Sequence, residues 1–222
     1  MSGSYTFSNT FFNTATPVIN TDEGIWINNP NVTVQAQNGT VELSGLIRIT
    51  AGTFNIGTTA ANSLEYNDGA KLTIEGGALN IGGRLCETTY GSQSITYNQS
   101  NGVVTVNMLG NNTDLLTGSF SIGDATSSFT MSGGTIVMQR PVVVIFPGFS
   151  YVNYAGTYSV TGGTIQFGNS ATPAGSIFEM ASSVPLWDLT ISATNTPTLY
   201  LGALNATTVL NDVTIGGVLD AQ

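Results

Sequence analysis

The segment Phe129-Thr130-Met131-Ser132-Gly133-Gly134-Thr135-Ile136-Val137-Met138 sets the terms for the whole chain. Phe129 and Met131 alternate with Thr130 and Ser132. Two glycines follow, and Ile136 and Met138 resume the alternation. A period of two with one apolar side predicts a half-buried β-strand on each flank. The glycine pair admits backbone angles that a Cβ resists, so the chain can bend sharply between the strands. The same pattern returns at Tyr158-Ser159-Val160-Thr161-Gly162-Gly163-Thr164-Ile165-Gln166-Phe167.

Looser copies fill the rest of the chain. Val32-Thr33-Val34 leads through Asn38-Gly39 to Val41-Glu42-Leu43, and Ile47-Arg48-Ile49 through Ala51-Gly52 to Phe54-Asn55-Ile56. Leu72-Thr73-Ile74 leads through Gly76-Gly77 to Leu79-Asn80-Ile81, and Ile95-Thr96-Tyr97 through Asn101-Gly102 to Val104-Thr105-Val106. Leu189-Thr190-Ile191 runs to Leu199-Tyr200-Leu201 without a glycine pair, and Val213-Thr214-Ile215 passes through Gly216-Gly217 to Val218-Leu219. The turn glycines are Gly39, Gly52, Gly77, Gly102, Gly134, Gly163 and Gly217. Steps of 25, 25 and 29 residues separate 52, 77 and 102, and 134 from 163. A hairpin meander would turn about every 8–12 residues. A longer period with several short strands per unit predicts a solenoid. The fold expected is therefore all-β, a parallel β-helix with irregular coils of about 25–30 residues, in one domain over 1–222. Its strands would stack about 4.8 Å apart in a rod on the order of 40 Å long. Alternation points Ile49, Ile74, Met131, Ile136, Val160, Ile165, Ile191 and Ile215 into the core.

Two stretches break the pattern. Glu87 to Gln99 is polar without alternation and reads as a loop. Arg140 to Phe149 is an apolar run between prolines, read as a buried strand, with an exposed patch for a partner as the other reading. The start Met1-Ser2-Gly3 resembles Met131-Ser132-Gly133, and no polar cap follows the last repeat. The chain is thus expected to be a segment of a longer one, with further solenoid coils of the same or a parent chain as partners at its ends.

Composition removes several functions. Net charge is −9, and only Arg48, Lys71, Arg84 and Arg140 are basic. Nucleic acid and anionic membranes need clustered cations, so neither is an expected partner. No apolar run is long enough to insert into a bilayer. Without histidine there is no Ser-His-Asp or Cys-His chemistry. Cys86 is the sole cysteine and reads as a small buried hydrophobe.

The blocks Ser127 to Val137, Val160 to Asn169 and Leu210 to Asp220 resemble repeats of very large secreted surface proteins of Bacteroidota, themselves similar to autotransporter passengers in their Gly-Gly-Thr turns. The resemblance covers 120–222 best and the earlier half by repeat style. It implies a right-handed parallel β-helix, export by the type IX route, an extracellular or cell-surface location and an adhesive or filament-forming role.

Polysaccharide-cleaving β-helices make an enzyme the rival reading. Glycoside hydrolysis needs two carboxylates across the scissile bond. Glu42 and Glu75 sit at polar strand positions, where alternation alone already places a solvated side chain. Arg48, between Ile47 and Ile49, points outward with no carboxylate cluster near it in sequence. Asn67-Asp68-Gly69 and Gly123-Asp124 offer oxygens for Ca²⁺ but read more simply as turns. Tyr151, Tyr154, Tyr158 and Trp26 are candidates to stack on sugars, whereas Trp187 reads as packing. The Thr-rich strands raise ice binding, against which the uneven repeats argue. Asn31 and Asn205 begin glycosylation sequons of low specificity. No catalytic, cofactor or metal set is assigned. The expected function is a non-enzymatic structural or adhesive rod, with a cell-surface or glycan ligand. A carbohydrate-binding or carbohydrate-cleaving β-helix is the alternative.

Overall fold

The computed structural model describes residues 5–7, 16–36, 39–110, 118–142, 149–201 and 206–221. The strands in chain order are β1 (Tyr5–Phe7), β2 (Val18–Ile19), β3 (Gly24–Ala36), β4 (Val41–Leu43), β5 (Leu46–Ile56), β6 (Leu64–Tyr66) and β7 (Ala70–Ile74). There follow β8 (Ala78–Ile81), β9 (Leu85–Glu87), β10 (Ile95–Gln99), β11 (Val103–Val106), β12 (Phe120–Ile122), β13 (Ser128–Met138) and β14 (Tyr151–Asn153). The last are β15 (Thr157–Phe167), β16 (Ile177–Ser182), β17 (Leu186–Ile191), β18 (Thr198–Leu201), β19 (Val209–Ile215) and β20 (Val218–Asp220). The fold is all-β, and its pairings are parallel, each strand lying beside its equivalent one coil away. The result is a β-solenoid of about seven turns.

Each full coil has three walls. A first arm and a second arm belong to one large sheet, bent at a glycine, and a short strand adds the third wall in a nine-stranded sheet. The two arms of a unit are therefore successive walls of one coil rather than a hairpin. In β5, β13 and β15 both arms fall within one strand. In two of the coils they separate as β7 with β8 and β10 with β11.

The bend explains its glycines. Gly52, Gly77, Gly102, Gly134 and Gly163 all have positive φ, between 64° and 94°. They stack on one another's coils: a Cβ on Gly77 would lie 2.3 Å from the Gly52 carbonyl oxygen, and one on Gly134 2.7 Å from that of Asn101. Gly39 and Gly217 stand elsewhere. Both lie where the chain leaves the large sheet for the third wall, between β3 and β4 and between β19 and β20. Placing them in the same series misreads the corner, because two glycine-containing bends per coil look alike in sequence. Asn38 lies outside the described residues.

The strand Leu189-Thr190-Ile191 also shifts place. It pairs with Ile165-Gln166-Phe167 and with Val213-Thr214-Ile215, so it and its successor are second arms, not first. Ser183-Val184-Pro185 carries the chain directly from β16 to β17. The first arm thus ends at β15, and no described strand lies beyond Thr157–Val160. Tyr158, which follows Leu72, Tyr97 and Phe129 in an inward row, is 51% exposed.

Of the core positions expected from alternation, Ile49, Ile74, Met131, Ile136, Ile165 and Ile191 are buried. Val160 is partly buried against the core. Ile215 is 52% exposed on the last described coil, because no described strand covers that side. The loop expected over Glu87 to Gln99 is only Thr88 to Ser94, for Ile95 to Gln99 forms β10. Ile95-Thr96-Tyr97 already reads as a first arm, and Gln99 disguises only the end of that strand. It points inward, accepts a hydrogen bond from the Tyr97 hydroxyl at 2.6 Å and donates to the Gly102 and Thr135 carbonyls. Rings fill the middle of the rod: Tyr97 stacks on Phe129 at 5.2 Å and Phe120 on Tyr151 at 5.3 Å. The central part of the apolar run from Arg140, residues 143–148, lies outside the described residues.

Candidate functional site

Polar side chains tie coil to coil. On the outer wall of the first arm, Arg48 Nε and Nη2 donate to the two Glu75 carboxylate oxygens at 2.8 and 3.0 Å. Thr50 Oγ1 donates to Glu75 Oε2 and accepts from the Trp26 indole N–H at 2.8 Å. The guanidinium also sits over the Trp26 ring, 5.1 Å from its centre. Hydrogen bonds and charge from Arg48 hold the Glu75 carboxyl below the usual carboxylate range. Trp26 remains 59% exposed. Its indole is pinned at one edge and faced by a cation, a fixed aromatic platform on the surface. A cavity of about 440 Å³ opens beside it, lined among others by Ile25, Ile27, Val32 and Val34.

Arg48 therefore has a carboxylate partner, invisible in linear sequence because it lies one coil and two residues further on. Glu42 and Glu75 do not meet. Glu42 is on β4 in the third wall, whereas Glu75 follows β7 of the first arm. The remaining candidates disperse likewise. Asp68 accepts hydrogen bonds from the Ser94 amide and hydroxyl, and Asp124 from the Thr126 amide at 2.6 Å. These bonds lower both carboxyls. Among the described residues no group of three or more His, Cys, Asp or Glu side chains could hold a metal ion. Tyr151 is in the core, where burial pushes its hydroxyl up, while Tyr158 is exposed. Trp187 is half-buried and Cys86 is buried. Asn31 is exposed in β3; Asn205 lies outside the described residues.

Glu87 escaped notice in the sequence. It is buried at the end of β9, accepting from the Ser121 hydroxyl at 3.0 Å and from the Gly123 amide. Its neighbour Tyr66 donates to the Ser121 carbonyl at 3.0 Å, and burial raises the Tyr66 hydroxyl pKa strongly. The cluster fastens β6, β9 and β12 together. No family model, curated protein or solved structure matches the chain.

Proposed function

We propose that this chain is a non-enzymatic structural segment, a rigid solenoid rod acting as spacer or adhesive stalk on a bacterial surface. One observation supports the reading best: polar side chains are spent on joining neighbouring coils. Arg48 joins Glu75, Asn67 joins Ser44, Asn80 joins Asn55, Thr88 joins Asn67, Asn169 joins Gln139 and Asn211 joins Asp188. Carboxylates committed in this way stiffen an assembly of coils. The resemblance of the Gly-Gly-Thr repeats to secreted Bacteroidota surface proteins supports an extracellular location. Exposed Leu210, Val213, Ile215 and Val218 on the last described coil favour further coils as partners.

Electron microscopy of the purified chain across a concentration series tests this. Uniform short rods, joining end to end as concentration rises, are the expected result. Particles without a long axis, or release of reducing ends from polysaccharides incubated with the chain, would overturn it.

A further inference from the structure

Two rows of side chains run straight along the rod on the outer face of the first arm. The strand register aligns Trp26, Arg48, Thr73, Asn98, Thr130 and Ser159 in one row. Leu46, Lys71, Thr96, Ser128 and Thr157 form the other. Neighbours within a row are about 4.8 Å apart, and the rows about 6.7 Å apart. The uneven coil lengths do not disturb them. The longer step from Gln99 to Met131 is taken up between β11 and β12, outside the first arm.

Thr73, Thr96, Asn98, Ser128, Thr130 and Ser159 make no side-chain hydrogen bond within the described residues. On the adjoining second arm, by contrast, Asn80 bonds Asn55 at 2.9 Å. The first-arm face thus presents fixed, uncharged groups that both donate and accept. The Trp26 platform stands at one end of the same row.

We infer that this face is a binding track for a neutral polysaccharide chain. A pyranose ring carries an apolar C–H face and a rim of hydroxyls. Trp26 fits the first, and the Thr, Ser and Asn rows fit the second. Charge selects the neutral polymer. Along the track the Arg48 charge is already matched by Glu75, leaving Lys71 as the free cation among the described residues of the two rows, while the chain as a whole is at −9. On a chain at −9, one lysine is too few to hold an anionic polymer, which needs a row of cations. A rigid sheet also holds the row in place before binding, so little ordering is lost when contacts form along it. The track gives the adhesive reading proposed above its ligand, and rests on that reading.

Affinity electrophoresis in native gels tests it, with hydroxyethylcellulose and galactomannan as neutral probes and polygalacturonate and alginate as anionic ones. At least one neutral probe should retard the chain, and neither anionic probe should. Trp26→Ala should weaken binding about tenfold, and Asn98→Ala and Thr130→Ala about fivefold each. Thr190→Ala on the second arm should bind as the parent does. Unchanged melting temperatures would show that these variants are folded. Failure of both neutral probes, or retardation indifferent to Trp26, Asn98 and Thr130, would overturn the track. So would ice shaping that needs Thr96 and Thr130 but not Trp26, without retardation. Reducing-end release in the same samples would defeat the non-enzymatic reading while leaving the track standing. Rods that no probe retards would defeat the track alone.

Discussion

Ile191 and Ile215 occupy the same register position on neighbouring strands, yet Ile191 is fully buried and Ile215 half exposed. Their local sequences, Leu189-Thr190-Ile191 and Val213-Thr214-Ile215, are nearly interchangeable. The body of the rod and its last described coil therefore teach that alternation selects the side of a strand but does not bury it. Burial comes from a coil on each flank, the nearest-neighbour logic of solenoids. Tyr158 makes the same point inside the chain, where the first arm stops two coils short of its neighbours.

The sharpest way to break this comparison is to place one charge in both regions. Ile136→Asp should cost about 4 kcal/mol or more, since a buried charge would lack a partner. Ile215→Asp should stay within about 0.5 kcal/mol. Thermal melts followed by circular dichroism measure both; equal losses would end the distinction. Phe120→Ala comes next, at about 3–5 kcal/mol, because the ring touches Tyr97, Phe129 and Tyr151 across successive coils. Leu219→Ala on the last coil should cost far less when urea titrations of the two variants are compared.

A smaller effect sharpens the role of the bend. Gly134→Ala should cost about 2–3 kcal/mol, combining a left-handed backbone with a Cβ pressed on the Asn101 carbonyl. Gly69→Ala has the same sign of φ but open space around its Cβ, so about 1 kcal/mol is expected. Similar midpoints for the two would mean that coil contact adds nothing at the corner.

The smallest effect belongs to the surface pair. The Glu75 carboxyl is held below its ordinary range in the folded chain. Its contribution is therefore present above the ordinary carboxylate pKa, and is lost as pH falls through the depressed folded value. Glu75→Gln should melt slightly below the parent at neutral pH and together with it in strong acid. A gap that persists in acid would assign the effect to packing.

The solenoid was legible because its period is written twice, in strand alternation and in glycines that recur with it. The bend at Gly52, Gly77, Gly102, Gly134 and Gly163 could be read for the same reason. Gly217 was not separable from them, since the amino acid alone does not say which corner it turns. The place of Leu189-Thr190-Ile191 was hidden by the missing first arm, which leaves no glycine to anchor the alignment. Gln99 and Glu87 escaped because a polar side chain buried with its own hydrogen bonds looks like surface in a linear reading. The Arg48–Glu75 pair needed the coil as a ruler: adding 25 residues to Arg48 reaches Thr73, its register partner, and Glu75 stands two places on.

Engineers would recognise the ledge at Thr157–Val160 as a notch. From β3 to that level three walls share any load carried along the axis; beyond it two do, because β17 grips only Thr164–Phe167 of the strand beneath. Stress concentrates where a cross-section drops. A pull along the axis would part β17–β20 from β15 and β16 before it parted the three-walled coils between β5 and β15.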